Sequence, residues 1–169
     1  TLLDILQKLF SERNVRSLPE NMIMKKSSQA SFSGNFMSSV ILFCEEITSS
    51  EDMTQTQQHH AYNNLKELVD PRPRMMTLPV KYGADRVIYV CPSFFLATNN
   101  SDAIPIPRED RRFVVLQNGR QRSWEFWNSL RAWMEQPHNI GALASWLRNR
   151  DLSSYRPQEI LMTSARTRM

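Results

Sequence analysis

Apolar residues recur along this chain in two patterns, one typical of helices and one typical of strands. Near the start, apolar positions follow helical spacing over residues 2–10, with Asp4 and Lys8 between them, so an amphipathic helix is predicted there. The first residues provide neither an N-cap nor a lead-in to this helix. We therefore expect the chain to begin partway through a larger protein.

The next segments alternate strand-like and helix-like patterns. Residues 40–44 form a continuous apolar run that predicts a buried parallel strand, and a helical pattern follows at about residues 52–68. A basic, proline-broken segment leads to a predicted hairpin with strands at 75–80 and 86–90, turning at residues 82–85. The remaining predicted elements are strands at 94–97 and 113–116, followed by Trp-rich helices at about 123–135 and 140–148. This alternation predicts an α/β fold, with one domain over residues 1–150 and a closing segment with a polar tail over 151–169.

Composition agrees with a single folded domain. The chain has 169 residues, of which 41% are hydrophobic, enough for one core. Its longest apolar runs have about the length of a strand, far below the roughly 20 residues that span a bilayer, so we expect no membrane segment. Cys44 and Cys91 both lie in apolar runs without a Cys-x-x-Cys motif, which favours buried, reduced, intracellular thiols.

Positive charge is concentrated in the second part of the chain. Residues 1–70 contain six Lys and Arg against nine Asp and Glu, whereas residues 71–169 contain fifteen against eight. Sixteen of the 21 basic residues are Arg, which suits phosphate recognition. The C-terminal portion is thus the one that could bind a polyanion, although an ordinary solvated surface explains the charge about as well.

Two acids follow the predicted buried strand at residues 40–44. Ligands of α/β sheets bind at the carboxyl ends of the strands, where one carboxylate can hold Mg²⁺ through its waters and the next can deprotonate an attacking water. Glu45 suits the first role and Glu46 the second. A merely solvated strand end is the alternative interpretation.

Two later positions fit the same chemistry. Asn99 follows another predicted strand, and its neutral amide could bind a water or a phosphate oxygen; a simple turn residue is the alternative. Arg112, preceded by Asp110 and Arg111, could reach the transferring phosphate of a neighbouring subunit as an arginine finger. The alternatives for Arg112 are an internal ion pair with Asp110 or a nucleic-acid contact.

Five sequence blocks in this order carry a family resemblance: VILFCEE at 40–46, LKEL at 65–68, VKY at 80–82, FLATNNSDAIPI at 95–106 and EDRRF at 109–113. Together they resemble the superfamily 3 helicase ATPases, in particular those fused to primase or primase–polymerase domains in phages, plasmids and large DNA viruses. The similarity extends over about residues 1–165, and the central blocks are its most distinctive part. It implies an AAA+-like P-loop NTPase core that here lacks its first strand and phosphate loop, followed by C-terminal helices.

The resemblance also implies roles for individual residues. Glu45 and Glu46 match the Walker B acids, Asn99 matches sensor 1, and Arg112 matches the arginine finger better than Arg111 does. Positions that would contact DNA lie on the predicted hairpin: Lys81 near its turn, and Arg86 on the returning strand as a supporting residue.

The same resemblance implies cofactors and partners. These are ATP and Mg²⁺, single-stranded DNA, and further copies of the chain in a ring that is usually hexameric. It also implies a primase or polymerase domain in the same protein, and replication in the host cytoplasm. Two departures stand out: the sequence contains no Gly-x-x-x-x-Gly-Lys-Ser/Thr, and the first Walker B acid is Glu45 where many relatives have Asp.

Other features are weaker. We interpret the pair His59 and His60 as surface residues rather than metal ligands, and the four Trp residues at 124, 127, 133 and 146 as packing residues rather than base-stacking ones. An ATP-hydrolysing DNA helicase module is the leading hypothesis. The alternatives are a non-catalytic DNA-binding or ring-assembly fragment and, less favoured, an AAA-type ATPase that acts on protein.

Overall fold

The computed structural model describes residues 2–20, 23, 38–47, 54–69, 74–78, 84–90, 92–100, 103–156, 159 and 161–168. Within these residues the helices are α1 (Leu2–Phe10), α2 (Gln55–Leu68), α3 (Trp124–Met134), α4 (Pro137–Arg148) and α5 (Ser164–Arg168). The strands are β1 (Val15–Ser17), β2 (Ile41–Cys44), β3 (Arg74–Leu78), β4 (Arg86–Val90) and β5 (Ser93–Leu96). The predicted mixture of helices and strands is therefore confirmed.

Three of the strands form a parallel sheet with the order β1-β2-β5. Strand β2 is central, with Ile41 opposite Val15 on one side and opposite Ser93 on the other. All four of its residues are buried, as a parallel strand covered on both faces requires. The prediction of a buried parallel strand from the continuous apolar run is thus confirmed.

The two faces of β2 are covered by different helices. Leu42 and Cys44 join a buried cluster that includes Ala61 and Leu65 of α2. The alternate residues of β2, Ile41 and Phe43, join a second cluster with the apolar face of α1. Because successive strand residues point to opposite faces, this pairing builds three layers, helix on sheet on helix.

Local chemistry sets the ends of the two covering helices. Thr54 caps α2 through a capping box, in which its hydroxyl accepts from the Gln57 backbone N–H and the Gln57 side chain accepts from the Thr54 backbone N–H at 2.7 Å. Helix α1 ends at Phe10, and the next residue, Ser11, has a φ of 74° in the left-handed region. The Asn14 side chain donates to the carbonyl of Phe10 at 2.9 Å and so satisfies one exposed helix end.

A separate two-stranded hairpin pairs β3 with β4, with Leu78 opposite Arg86. The predicted hairpin is therefore confirmed, while residues 79–83, which include the first part of the predicted turn, lie outside the described residues. Strand β1 was not predicted, because only three residues form it.

The predicted strand at 113–116 is wrong. This segment belongs to no helix or strand, and it pairs with no strand in the described part of the chain. Its carbonyls bond to side chains instead: Phe113 O accepts from Arg166 at 2.6 Å, and Val115 O accepts from the Thr163 hydroxyl. These side-chain donors satisfy the backbone without a sheet.

Helices α3 and α4 form as predicted, but most of their apolar side chains are exposed. Within α3 only Met134 is buried, and within α4 no residue is. Assigning the Trp residues to packing is therefore wrong, since Trp124 and Trp146 are 64% and 58% exposed. In the part of the chain that the structure describes, no helix is both long and apolar enough to cross a membrane.

Candidate functional site

The carboxyl ends of β2 and β5 meet at one edge of the sheet. The strands pair in parallel with Cys44 opposite Leu96, and the pairing continues beyond both strands. Ala97 N donates to Cys44 O at 2.9 Å, and Ile47 N donates to Ala97 O at 3.0 Å. Glu45 and Glu46 lie between these two hydrogen bonds, so the backbone on either side of the acidic pair is fixed against β5.

Asn99 reaches the same edge from β5. The loop that carries it is tied to the β2 side by Thr98, whose hydroxyl donates to Ile47 O at 3.1 Å. The same hydroxyl accepts from Asn100 N at 3.1 Å, which closes a small turn around Asn99. Thr98 therefore holds the candidate sensor loop beside the acidic pair, a role that the sequence patterns did not indicate.

All three polar side chains at this edge face solvent. Glu45, Glu46 and Asn99 are exposed, whereas the residues immediately before the acidic pair are buried. Two carboxylates and an amide oxygen are hard oxygen donors, the type that Mg²⁺ prefers while it keeps several of its waters. The residues present therefore fit a hydrated magnesium ion bound with phosphate oxygens.

Among the described residues, no group of three or more His, Cys, Asp and Glu could hold a metal ion by itself. His59 and His60 lie exposed on α2, where we interpret them as surface residues. Cys44 is buried, and burial raises the pKa of its thiol to about 11. Since the thiolate is the nucleophile and metal ligand, Cys44 is assigned a packing role.

Arg112 lies in a second polar group, centred on the buried carboxylate of Asp110. Tyr62 of α2 donates its hydroxyl to Asp110 Oδ2 at 2.5 Å. Arg112 donates its backbone N–H to Asp110 Oδ1 at 2.6 Å and forms an ion pair with Oδ2 at 3.3 Å. The internal ion pair that the sequence left open is thus present, yet the Arg112 side chain remains 29% exposed.

The electrostatics of this group follow from its contacts. Burial alone would raise the pKa of Asp110, but the Tyr62 hydrogen bond and the Arg112 contacts outweigh it, so this pKa is lowered. The pKa of Tyr62 is raised by burial and by its hydrogen bond to the Asp110 carboxylate. Asp110 is therefore held ionised and Tyr62 neutral at physiological pH, which keeps the Arg112 backbone fixed.

The structure places the two polar groups on different parts of the fold. Glu45, Glu46 and Asn99 share the sheet edge, whereas Arg111 and Arg112 follow the segment that packs on α2 through Tyr62 and Phe113. No hydrogen bond or ion pair between described residues joins them. Arg111 is exposed and takes part in no ion pair within the described residues.

The candidate DNA-contacting positions are only partly described. Lys81 lies outside the described residues. The backbone of Arg86 begins β4, opposite Leu78. The β3–β4 hairpin that would carry Lys81 and Arg86 is observed. The contact of these residues with DNA stays a prediction.

Aromatic side chains exposed on α3 and α4 make up an aromatic surface that the sequence interpretation missed. Arg131 lies over the ring of Trp124 at 5.4 Å, Arg122 over Phe126 at 5.5 Å, and Arg150 over Trp146 at 5.3 Å, each measured from the guanidinium carbon to the ring centroid. The sequence signal was available, since the Arg of each pair stands four or seven residues from its aromatic partner. The pattern of apolar positions alone favoured burial.

Comparison of the chain with protein-family models, with curated proteins and with solved structures gives no match in any of the three.

Proposed function

We propose that this chain is the C-terminal part of an ATP-dependent replicative DNA helicase of the superfamily 3 type, which couples ATP hydrolysis to movement along single-stranded DNA. The observation that carries the proposal is the meeting of Glu45, Glu46 and Asn99 at the carboxyl edge of two paired parallel strands. The ordered sequence blocks at 40–46, 95–106 and 109–113 support it.

Each of the three side chains is assigned one step. Magnesium-bound ATP would supply the phosphate to be transferred and the divalent charge that balances its oxygens. Glu45 would hold the waters of the metal ion, Glu46 would take the proton of the attacking water, and Asn99 would orient that water without adding charge. The exposure of all three allows a substrate to reach them.

The phosphate-binding loop would come from a strand beside β5. Within the described residues β5 pairs only with β2, so its other edge presents backbone groups to which a further parallel strand can bond. The residues of β5 alternate between exposed and half-buried, unlike the fully buried β2. An incomplete sheet at this edge supports a P-loop NTPase core whose first strand and Walker A loop lie elsewhere in the protein.

The remaining parts of the proposal concern assembly. Arg112, or Arg111 beside it, completes the nucleotide site of a neighbouring subunit in a ring, and Lys81 with Arg86 places the β3–β4 hairpin on the DNA. A primase or polymerase domain in the same protein, and replication in the host cytoplasm, belong to the same proposal.

The test is a Glu46→Gln substitution in the full-length protein. Removal of a general base lowers turnover by about 10²- to 10⁴-fold, so Glu46→Gln should lose ATP hydrolysis but still bind a fluorescent ATP analogue. Glu12→Gln, at an exposed position after α1, is the matched control and should hydrolyse ATP normally. Near-normal turnover by Glu46→Gln would overturn the Walker B assignment.

A non-catalytic DNA-binding or ring-assembly fragment is the second candidate. The exposed aromatic side chains of α3 and α4 favour it, because exposed apolar residues in such number are typical of interaction sites. It predicts that the full-length protein binds single-stranded DNA or assembles into rings without hydrolysing ATP. Measuring Mg²⁺-dependent ATPase activity of that protein separates the two candidates.

A further inference from the structure

The side chain of Arg166, on the short helix α5, is buried beneath the segment that carries Arg112. It is 4% exposed and donates to the backbone on both sides of Arg112. Its Nη1 bonds to Phe113 O at 2.6 Å, and its Nη2 bonds to Pro107 O at 3.1 Å, to Arg108 O at 3.0 Å and to Asp110 O. One guanidinium thus joins four carbonyls that are scattered over seven residues of chain.

Two further contacts complete the attachment of this segment. Thr163, just before α5, donates its hydroxyl to Val115 O and accepts from Arg166 N at 3.1 Å. Through its carboxylate, Asp110 accepts from Tyr62 and from the backbone N–H of Arg112. The turn at residues 107–113 is therefore held both by α5 and by α2, while Arg112 itself stays partly exposed.

Burial of the Arg166 guanidinium is energetically unfavourable compared with burial of an apolar side chain. The carbonyls that Arg166 contacts are neutral, its Nε has no hydrogen-bond partner among the described residues, and no ion pair within them involves Arg166. A buried guanidinium that contacts only neutral carbonyls loses its hydration, and it stabilises the fold less than an apolar side chain of similar size would. The planar, forked donor set is instead suited to fixing several acceptors in one geometry.

We propose that Arg166 is a positioning residue for the arginine finger: by fixing the carbonyls of residues 107–113, it sets the direction in which Arg112 leaves the surface toward the neighbouring nucleotide site. This inference rests on the proposed function. Nothing in the sequence pattern indicated it, because Arg166 and Asp110 are separated by 56 residues.

The experiment measures steady-state ATPase activity of Arg166→Ala, Arg166→Lys and Arg112→Ala in the full-length protein. A displacement of about 1 Å in a reacting group can cost about 10²-fold in rate. Arg166→Ala should therefore lower kcat about 10- to 100-fold while KM for ATP stays near the parent value. Arg166→Lys should restore only part of the rate, because a single ammonium cannot bond to all four carbonyls. Thr167→Ala is the control, since the hydroxyl of this neighbouring exposed residue donates to Thr163 O at 3.1 Å and to none of the carbonyls that Arg166 contacts.

Mixing of variants separates positioning from a general loss of structure. Arg166→Ala protein keeps Glu46, and Glu46→Gln protein keeps both Arg166 and Arg112, so mixed rings should regain activity, as mixtures of Arg112→Ala with Glu46→Gln should. In an Arg112→Lys background, Arg166→Ala should lower kcat by a much smaller factor than it does alone. The reason is that the side chain that Arg166 positions has already been altered.

The outcomes are distinguishable. Parent-like kcat in Arg166→Ala, together with an inactive Arg112→Ala, overturns this inference and leaves the proposed function standing. No recovery on mixing, despite co-assembly, or an unchanged cost in the Arg112→Lys background also overturns it, because Arg166 then acts on the fold alone. Absence of ATPase activity in the unmodified full-length protein overturns the proposed function and this inference together.

Discussion

Strand β2 and the pair of helices α3 and α4 are both rich in large apolar residues, yet they differ sharply in burial. All four residues of β2 are buried between α1 and α2, while α3 and α4 together bury only Met134. The sheet region is stabilised by burial on both faces. The helix pair exposes aromatic side chains, with Arg guanidinium groups over three of the rings. A hydrophobic pattern thus specifies an element without specifying whether anything covers it.

The largest expected difference between the two regions is in thiol accessibility. Cys44 is 1% exposed and its pKa is raised to about 11, so in a Cys91→Ser background it should react with a thiol reagent only when the sheet opens. A cysteine placed on α4 by Leu147→Cys should react at least about a thousandfold faster, given typical unfolding equilibria. Comparable labelling rates at neutral pH would show that the sheet is not a stable core.

The second expected difference is in the cost of removing a leucine side chain. Leu42→Ala removes a fully buried side chain from the centre of the sheet and should lower the free energy of unfolding by about 2–5 kcal/mol. Leu147→Ala, at a position that is 42% exposed, should change it by no more than about 0.5 kcal/mol. Urea denaturation of the three proteins tests this, and similar losses at both positions would mean that α4 is covered as well as β2 is.

The third prediction concerns the buried polar group of Asp110, Tyr62 and Arg112, which ties the segment between β5 and α3 to α2. Asp110→Asn should cost about 1–3 kcal/mol at neutral pH, because it weakens the buried contacts to Tyr62 and Arg112. The folded-state pKa of Asp110 is lowered, so its contribution is complete above the ordinary Asp pKa of about 3.9 and disappears as pH falls through the folded value. The difference in stability between parent and Asp110→Asn should therefore shrink in acid.

Asp151→Asn is the control for that pH dependence. Asp151 also has a lowered pKa, caused by hydrogen bonds from Ser153, but its carboxylate is fully exposed. We expect this variant to unfold with nearly the parent pH profile. A constant difference between parent and Asp110→Asn from neutral to acidic pH would contradict the buried-carboxylate interpretation.

The contrast between these regions also explains what the sequence could predict. Local periodicity was sufficient for α1, β2, α2, the β3–β4 hairpin, β5 and the existence of α3 and α4, since each has a clear apolar repeat. The shared position of the polar residues after β2 and after β5 could also be predicted, because the carboxyl ends of parallel paired strands meet at one edge of the sheet.

Long-range side-chain contacts explain what it could not predict. The segment at 113–116 has strand-like residues, but its carbonyls bond to Thr163 and Arg166, about fifty residues away. The buried group of Tyr62, Asp110 and Arg166 is likewise assembled from three distant parts of the chain. Such contacts depend on the tertiary structure and have no local pattern.

The smallest expected effect is on the aromatic surface itself. An exposed cation–π contact contributes about 0.5–1 kcal/mol, so a double-mutant cycle of Trp124→Ala and Arg131→Ala should give a coupling energy within that range in the chain alone. In the full-length protein, the loss from Trp124→Ala reveals whether anything covers the 64% exposed ring. An equal loss of unfolding free energy in both proteins would mean that α3 is exposed in both, in contrast to the buried β2. Burial of a large apolar side chain contributes about 2 kcal/mol or more. A loss greater by that amount in the longer protein would show that another part of it packs on α3, and α3 would then be buried as β2 is.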